Sequence, residues 1–218
     1  MSLPPSRYRL RPSGLVRLPP LAPGLRIGIY GGSFNPPHAG HRHVSLLALR
    51  RLRLDRIWWV VTPGNPLKDH GELAPLAERV AQARRLAAHP AIAVTSFEEA
   101  IGARYTVDTL TYLRRRFPAV RFVWIMGADN LPGFHRWRGW RAIARLMPIA
   151  VVDRPGFTLR APHTRAAGWL ARYRVDEAEA PRLADRQPPA WLFLHGPRST
   201  LSSTLLRRGV RTSSPPGR

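Results

Sequence analysis

Five short apolar runs, each closed by a turn signal, decide what this chain folds into. They are Ile27–Tyr30, Ile57–Thr62, Val120–Met126, Ile149–Asp153 and Trp191–His195. A run that stays apolar through both alternating sets of side chains has no face for solvent, so it belongs in a sheet covered on both sides. Between the runs lie stretches with helical spacing: His43–Leu52, Ala74–Ala88 (Leu76, Val80, Ala83, Leu86), Val107–Phe117 (Leu110, Leu113) and Trp140–Leu146. Ile92–Thr95 adds a short strand, and Ser202–Arg208 starts a last helix. This alternation predicts an α/β fold, a doubly wound parallel sheet. Ligands bind such sheets beyond the carboxyl ends of the strands, near the point where the strand order reverses. The segments leaving those ends are therefore where chemistry is expected.

The first of them is Gly31-Gly32-Ser33-Phe34-Asn35-Pro36-Pro37-His38-Ala39-Gly40-His41. It joins a buried strand to a helix start, where unpaired N–H groups and the positive dipole end favour phosphate. Glycines let backbone approach a ligand closely. His38 and His41, three apart with Gly40 between them, add two donors that can carry charge when a polyphosphate is near. Pro63-Gly64-Asn65-Pro66-Leu67-Lys68 follows the second run and holds the only lysine of an arginine-rich chain. As a bare sequence it is a turn. In Arg104-Tyr105-Thr106-Val107-Asp108-Thr109-Leu110, Thr106 is expected to cap the following helix, with Asp108 in its first turn. Met126-Gly127-Ala128-Asp129-Asn130-Leu131 offers close approach at Gly127 and a carboxylate, Asp129, suited to ribose hydroxyls. Phe134-His135-Arg136-Trp137-Arg138-Gly139-Trp140 interleaves aromatics with arginine, which suits stacking on a flat heterocycle. Trp140 is read as packing, and His135, Arg136 and Arg138 as surface. Ser202-Ser203-Thr204-Leu205-Leu206-Arg207 puts hydroxyls and an arginine at a helix N-terminus, where they serve as caps or as an anion site.

The first segment resembles the (H/T)xGH signature of the nucleotidylyltransferase superfamily, and its longer form GGSFxPPHxGH is similar to the nicotinate mononucleotide adenylyltransferase family of bacteria. Asn35 stands where that family usually has Asp. Four later segments agree in order with the family's substrate loop, (Y)TxDTL, GxD and ISSTxIR segments, so the resemblance spans roughly residues 25 to 210. It implies a Rossmann-like nucleotidylyltransferase fold and transfer of the adenylyl group of ATP to nicotinate mononucleotide. The products would be nicotinate adenine dinucleotide and pyrophosphate, within NAD biosynthesis. His38 and His41 would be catalytic and face the ATP phosphates. Gly31, Gly32, Ser33, Phe34, Gly40, Gly127, Asp129, Ser202, Ser203, Thr204 and Arg207 would bind ATP. Asn65, Lys68, Thr106 and Trp137 would hold the mononucleotide, with Lys68 reaching phosphate, Thr106 meeting the pyridine carboxylate and Trp137 stacking on the ring. Mg²⁺ would arrive on the ATP phosphates, with no metal site built from protein ligands. An acceptor such as nicotinamide mononucleotide or phosphopantetheine stays open as an alternative.

Composition bounds the rest. A chain of 218 residues suits one domain, read as residues 25–211, with a basic, Pro-rich and poorly ordered extension over 1–24 and a flexible tail over 212–218. No cysteine is present, which excludes disulfides and thiolate chemistry. No apolar run is long enough to span a bilayer, so no membrane partner is expected and the location is read as cytoplasmic. The formal net charge of +22 invites anionic partners, and a basic nucleic-acid-binding protein is the reading from a different class. Because almost all of that charge is scattered arginine, it reads as compositional bias and no specific nucleic acid is expected. The oligomeric state stays open.

Overall fold

The computed structural model describes residues 18–64, 73–153 and 165–196. Six strands form one sheet: β1 Arg26–Gly32, β2 Arg56–Val61, β3 Ile92–Thr95, β4 Arg121–Gly127, β5 Ile149–Val152 and β6 Trp191–Leu194. Every pairing is parallel, and the order is β3-β2-β1-β4-β5-β6. The chain thus winds outward from β1 through β3, then restarts at β4 on the other side of β1. The reversal falls between β1 and β4.

The strands are apolar throughout because helices cover both faces, and the pleat sorts alternate side chains between two cores. Ile27, Ile29, Trp58, Val60, Trp124, Met126, Ile149, Val151 and Phe193 point to one core. That core is closed by α3 Phe97–Ile101, α4 Thr106–Arg116, α5 Trp140–Leu146 and α6 Arg165–Leu170. Tyr30, Ile57, Trp59, Val61, Val123, Ile125, Ala150, Val152, Leu192 and Leu194 point to the other. It is closed by α1 Ala39–Arg51, α2 Leu76–Ala87 and a 3-10 segment over Glu177–Asp185. The neighbours Trp58 and Trp59 are both fully buried, one in each core. At the start of the described chain, Leu18 and Leu21 lie against the first core, and the Gly24 amide donates to the Ala119 carbonyl at 2.8 Å.

The expected elements are present where they can be described, with differences that have local causes. Helix α1 begins at Ala39 rather than His43, because His38 caps it. The expected cap at Thr106 is corrected: Tyr105 is the N-cap residue, its own side chain makes no capping bond, and Thr106 is the first helical residue. Helices α3 and α6 are too short to show a 3.6-residue period, and Glu177–Asp185 carries Pro181 inside it. The helix expected over Ser202–Arg208 and the tail from Thr212 lie outside the described residues.

Strand β6 ties α6 to the sheet through the Trp191 indole N–H, which donates to the Leu170 carbonyl at 2.8 Å in a buried setting. Trp191→Phe leaves that carbonyl without its donor. The expected loss of stability is about 1–3 kcal/mol, the cost of an unpaired buried polar group. An unchanged urea midpoint would show that the bond contributes nothing.

Candidate active site

The turn after β1 owes its shape to two histidines that cap the helix they precede. His38 is extended at the N-cap of α1 (φ −146°, ψ 165°), and its Nδ1 accepts the Gly40 amide at 3.1 Å. In return, His41 Nδ1 accepts the His38 amide at 3.1 Å. This is a capping box built from imidazoles in place of a hydroxyl and a carboxylate. Both Nδ1 atoms face backbone donors, so neither carries a proton there, and each ring bears its hydrogen on Nε2. Placing a second proton on Nδ1 would set N–H against N–H and break the cap. With both Nδ1 atoms taken up by backbone amides, each ring turns its Nε2 edge away from the cap. The rings lie 3.9 Å apart between centroids, and both are buried.

Beneath the histidines sits a polar relay in an aromatic bed. The Trp59 indole N–H donates to Ser45 Oγ at 2.7 Å, and Ser45 donates to the His41 carbonyl at 2.9 Å. Phe34 stacks on Trp59 at 4.9 Å and packs against the His41 ring at 4.8 Å. Phe34 adopts φ +47°, a left-handed backbone that costs a side-chain-bearing residue of order ~1–3 kcal/mol. Its burial between Trp59 and His41 holds it there. Asn35, the departure from the commoner Asp, is engaged as an acceptor: its Oδ1 takes the Ala74 amide at 3.3 Å.

The same edge of the sheet carries the other described candidates. Gly32 and Gly127 end the adjacent strands β1 and β4, flanking the reversal point. Asp129 follows in a 3-10 turn over Ala128–Asn130. A Cβ on Gly31 would come within 2.7 Å of Trp124 Cη2, so only glycine lets the turn pass over that ring. Trp137 meets the same Trp124 edge-on at 6.4 Å, and Phe134 at 5.5 Å. Trp140 packs between Phe134 and Trp169, as expected of a core aromatic. Arg138, read as surface, lies over the Tyr105 ring at 4.7 Å. Burial pushes the Asp108 carboxyl up from its ordinary range, opposed by backbone bonds to Tyr105 and Arg104 and by the Arg138 charge. Asn65, Lys68, Ser202, Ser203, Thr204 and Arg207 lie outside the described residues.

Three supporting residues carry no motif: Ser45, Trp59 and Glu98. Glu98 lies in α3, the short helix after β3, and is buried, with the Thr109 hydroxyl donating to it at 2.6 Å and a further side-chain bond to Thr62. Burial raises its carboxyl above the usual range, more than these bonds lower it. Among the described residues, no three His, Asp or Glu side chains gather as a metal site. Imidazole N–H groups can donate to phosphate oxygens.

A family profile described as cytidylyltransferase-like matches residues 29–209. A protein of Methylorubrum extorquens, named "probable nicotinate-nucleotide adenylyltransferase", is 70% identical over 183 residues, 84% of this chain and 99% of its own. A protein of the same name from Brucella abortus is 56% identical over 184 residues, 84% of this chain and 95% of its own. The chain belongs to the nicotinate-nucleotide adenylyltransferase family. The fold is similar to that of Plasmodium falciparum nicotinic acid mononucleotide adenylyltransferase complexed with APC, at a TM-score of 0.62 and 18% identity, covering 84% of this chain and 83% of that one. The same enzyme complexed with NaAD gives a TM-score of 0.60.

Within this adenylyltransferase, Glu98 makes stability depend on pH. A carboxyl whose folded value is raised favours the protonated form, so its contribution is full below the ordinary carboxylate range and is lost as pH rises through the raised value. Glu98→Gln keeps an acceptor for Thr109 and removes the ionisation. The variant is expected to gain in Tm over the native chain progressively from pH 5 to pH 8. A Tm difference that is flat with pH would show that Glu98 ionises without cost.

Proposed function

We propose that this chain transfers the adenylyl group of ATP to nicotinate mononucleotide, giving nicotinate adenine dinucleotide and pyrophosphate. The observation that carries the mechanism is the pair of imidazoles whose Nδ1 atoms are held by the cap, which puts the proton of each ring on Nε2 at the N-terminus of a 13-residue helix. A mononucleotide phosphate oxygen attacks the α-phosphorus of ATP in line, the P–O bond to the β-phosphate breaks, and pyrophosphate leaves with the electron pair. Negative charge gathers on the α-phosphate oxygens and on the leaving group. Neutral N–H donors fixed by backbone stabilise it without reorganising, which is where catalysis of this kind gains most. No covalent intermediate is required.

We assign His38 and His41 to the ATP phosphates, His41 nearest the transferring group. The Gly31–Phe34 backbone lies between the two substrates, and Asp129 accepts from a ribose. Ser202, Ser203, Thr204 and Arg207 are assigned to the β/γ side. Trp137 is assigned to the pyridine ring, supported by its packing on Trp124, the ring that underlies Gly31. Thr106 is assigned to the pyridine carboxylate, and Asn65 and Lys68 to the mononucleotide phosphate. Mg²⁺ would come bound to the ATP phosphates rather than to protein ligands, and would supply charge neutralisation there.

The decisive assay is purified protein with ATP, Mg²⁺ and nicotinate or nicotinamide mononucleotide. We expect the dinucleotide and pyrophosphate, with kcat/KM higher for the acid. No turnover of either mononucleotide would refute the reading. His41→Ala is expected to lower kcat by at least ~10², the scale of one lost transition-state donor. An unchanged kcat would remove His41 from the chemistry.

A further inference from the structure

Arg79 is a charged residue buried where no motif announces it. It lies in the first turns of α2, on the far side of the β2–α2 crossover from the histidine turn in sequence. Its side chain is 1% exposed. The guanidinium spends its N–H groups on four backbone carbonyls. Nε donates to Ala74 at 2.8 Å, Nη1 to Ser33 at 2.7 Å and to Thr62 at 2.8 Å, and Nη2 to Pro63 at 3.1 Å. Burial alone pushes the group below its ordinary range, yet an arginine stays charged there. Burying a cation is costly unless hydrogen bonds replace the lost water, and here the fork geometry of guanidinium meets carbonyls from three separate segments.

Which segments they are is the point. Ser33 belongs to the turn after β1, between the two substrates of the proposed reaction. Thr62 and Pro63 leave the carboxyl end of β2, and Ala74 lies just before α2. Thr62–Pro63 and Ala74 bracket the stretch that holds Asn65 and Lys68. Anchoring α2 alone would need only the Ala74 bond. Reaching across to Ser33 links the crossover to the histidine turn. A second tie runs alongside, because Asn35 Oδ1 accepts the Ala74 amide.

We propose that Arg79 is a positioning residue that ties the turn after β1 to the end of β2 and to the backbone before α2, fixing the ATP side and the mononucleotide side of the proposed site relative to each other. The proposal rests on the adenylyl-transfer reading for its kinetic consequence and on geometry alone for its mechanical one. Lysine at this position brings one ammonium with three donors on a flexible stem and does not span four carbonyls in a plane. The charge also places a fixed positive potential under a turn proposed to receive two anionic substrates.

The test compares full-length Arg79→Lys and Arg79→Ala with Leu183→Ala, a fully buried residue of the Glu177–Asp185 segment that packs on β4 and β6 and serves as a stability control. In Arg79→Lys, hydrogen exchange is expected to rise together at residues 32–34 and 62–64 without any substrate present. Its kcat/KM for the mononucleotide is expected to fall by at least about tenfold, as for a misplaced binding group, with KM carrying most of the loss. Added guanidinium is expected to restore part of the activity of Arg79→Ala. Leu183→Ala, at an equal or larger loss of Tm, should leave both KM values unchanged. The proposal is overturned if Arg79→Lys keeps its KM values and exchange pattern, or if its losses match those of Leu183→Ala at equal Tm. If the native chain turns over no pyridine mononucleotide, the reaction reading fails while the exchange comparison still decides the mechanical claim.

Discussion

The reciprocal bonds between His38 and His41 and each other's neighbouring backbone are the constraint on which the rest of the site depends. A helix must satisfy its first amides, and most helices do so with a hydroxyl or carboxylate that has no other task. Here the cap and the proposed catalytic donors are the same two rings. Starting the helix therefore also fixes the tautomer of both imidazoles and the direction in which Nε2–H points. The Ser45 hydroxyl and the Trp59 indole extend this control downward, since they hold the His41 carbonyl from the strand below. A loosened turn would lose helix stability and donor geometry together.

The sheet supplies what the cap alone lacks, a stiff reference frame. Because its strands are buried on both faces, β1 and β2 cannot slip by one residue without moving Trp58 and Trp59 into each other's cores. The ends of β1, β2 and β4 are thereby held in register, and the turns that leave them start from known heights. Trp124 converts that register into site shape: it lies under Gly31 on one side and against Trp137 on the other.

Most of the fold was legible because runs such as Ile57–Thr62 and Val120–Met126 are apolar in both alternating sets, a pattern that a half-exposed strand does not produce. The histidine turn was legible from its glycines and its spacing. Its electrostatics were not. A pattern shows that two histidines sit three apart, but not that the amides of Gly40 and His38 take up their Nδ1 lone pairs. Thr106 illustrates the reverse error: a residue with strong capping propensity lies one position inside the helix, and the extended backbone of Tyr105 leads into it. Arg79, Ser45 and Glu98 escaped because nothing local distinguishes a buried arginine, serine or glutamate from a solvated one. Their partners lie 46, 14 and 11 residues away. In a chain with 35 Lys and Arg, one arginine with a structural task is invisible until tertiary contacts single it out.

The surplus of arginine on the surface and the few ionisable groups inside answer to different physics. Exposed guanidinium groups are screened by salt within about 10 Å and contribute little to where a particular phosphate sits. Groups removed from water keep their field. At this sheet edge the buried set is small: Arg79 beneath Ser33, and Glu98 and Asp108 near the start of α4, each of whose ordinary ionisation is opposed by burial. Burial raises both carboxyls from their ordinary range, whereas the guanidinium keeps its charge, so Arg79 adds positive potential beneath the turn. In the proposed site, the two imidazole N–H donors would fix direction, and a remote buried charge would add attraction without competing for position. Uncharged donors for geometry and a desolvated cation for field are separable contributions, and a site that must hold two mutually repelling phosphates in line has use for both.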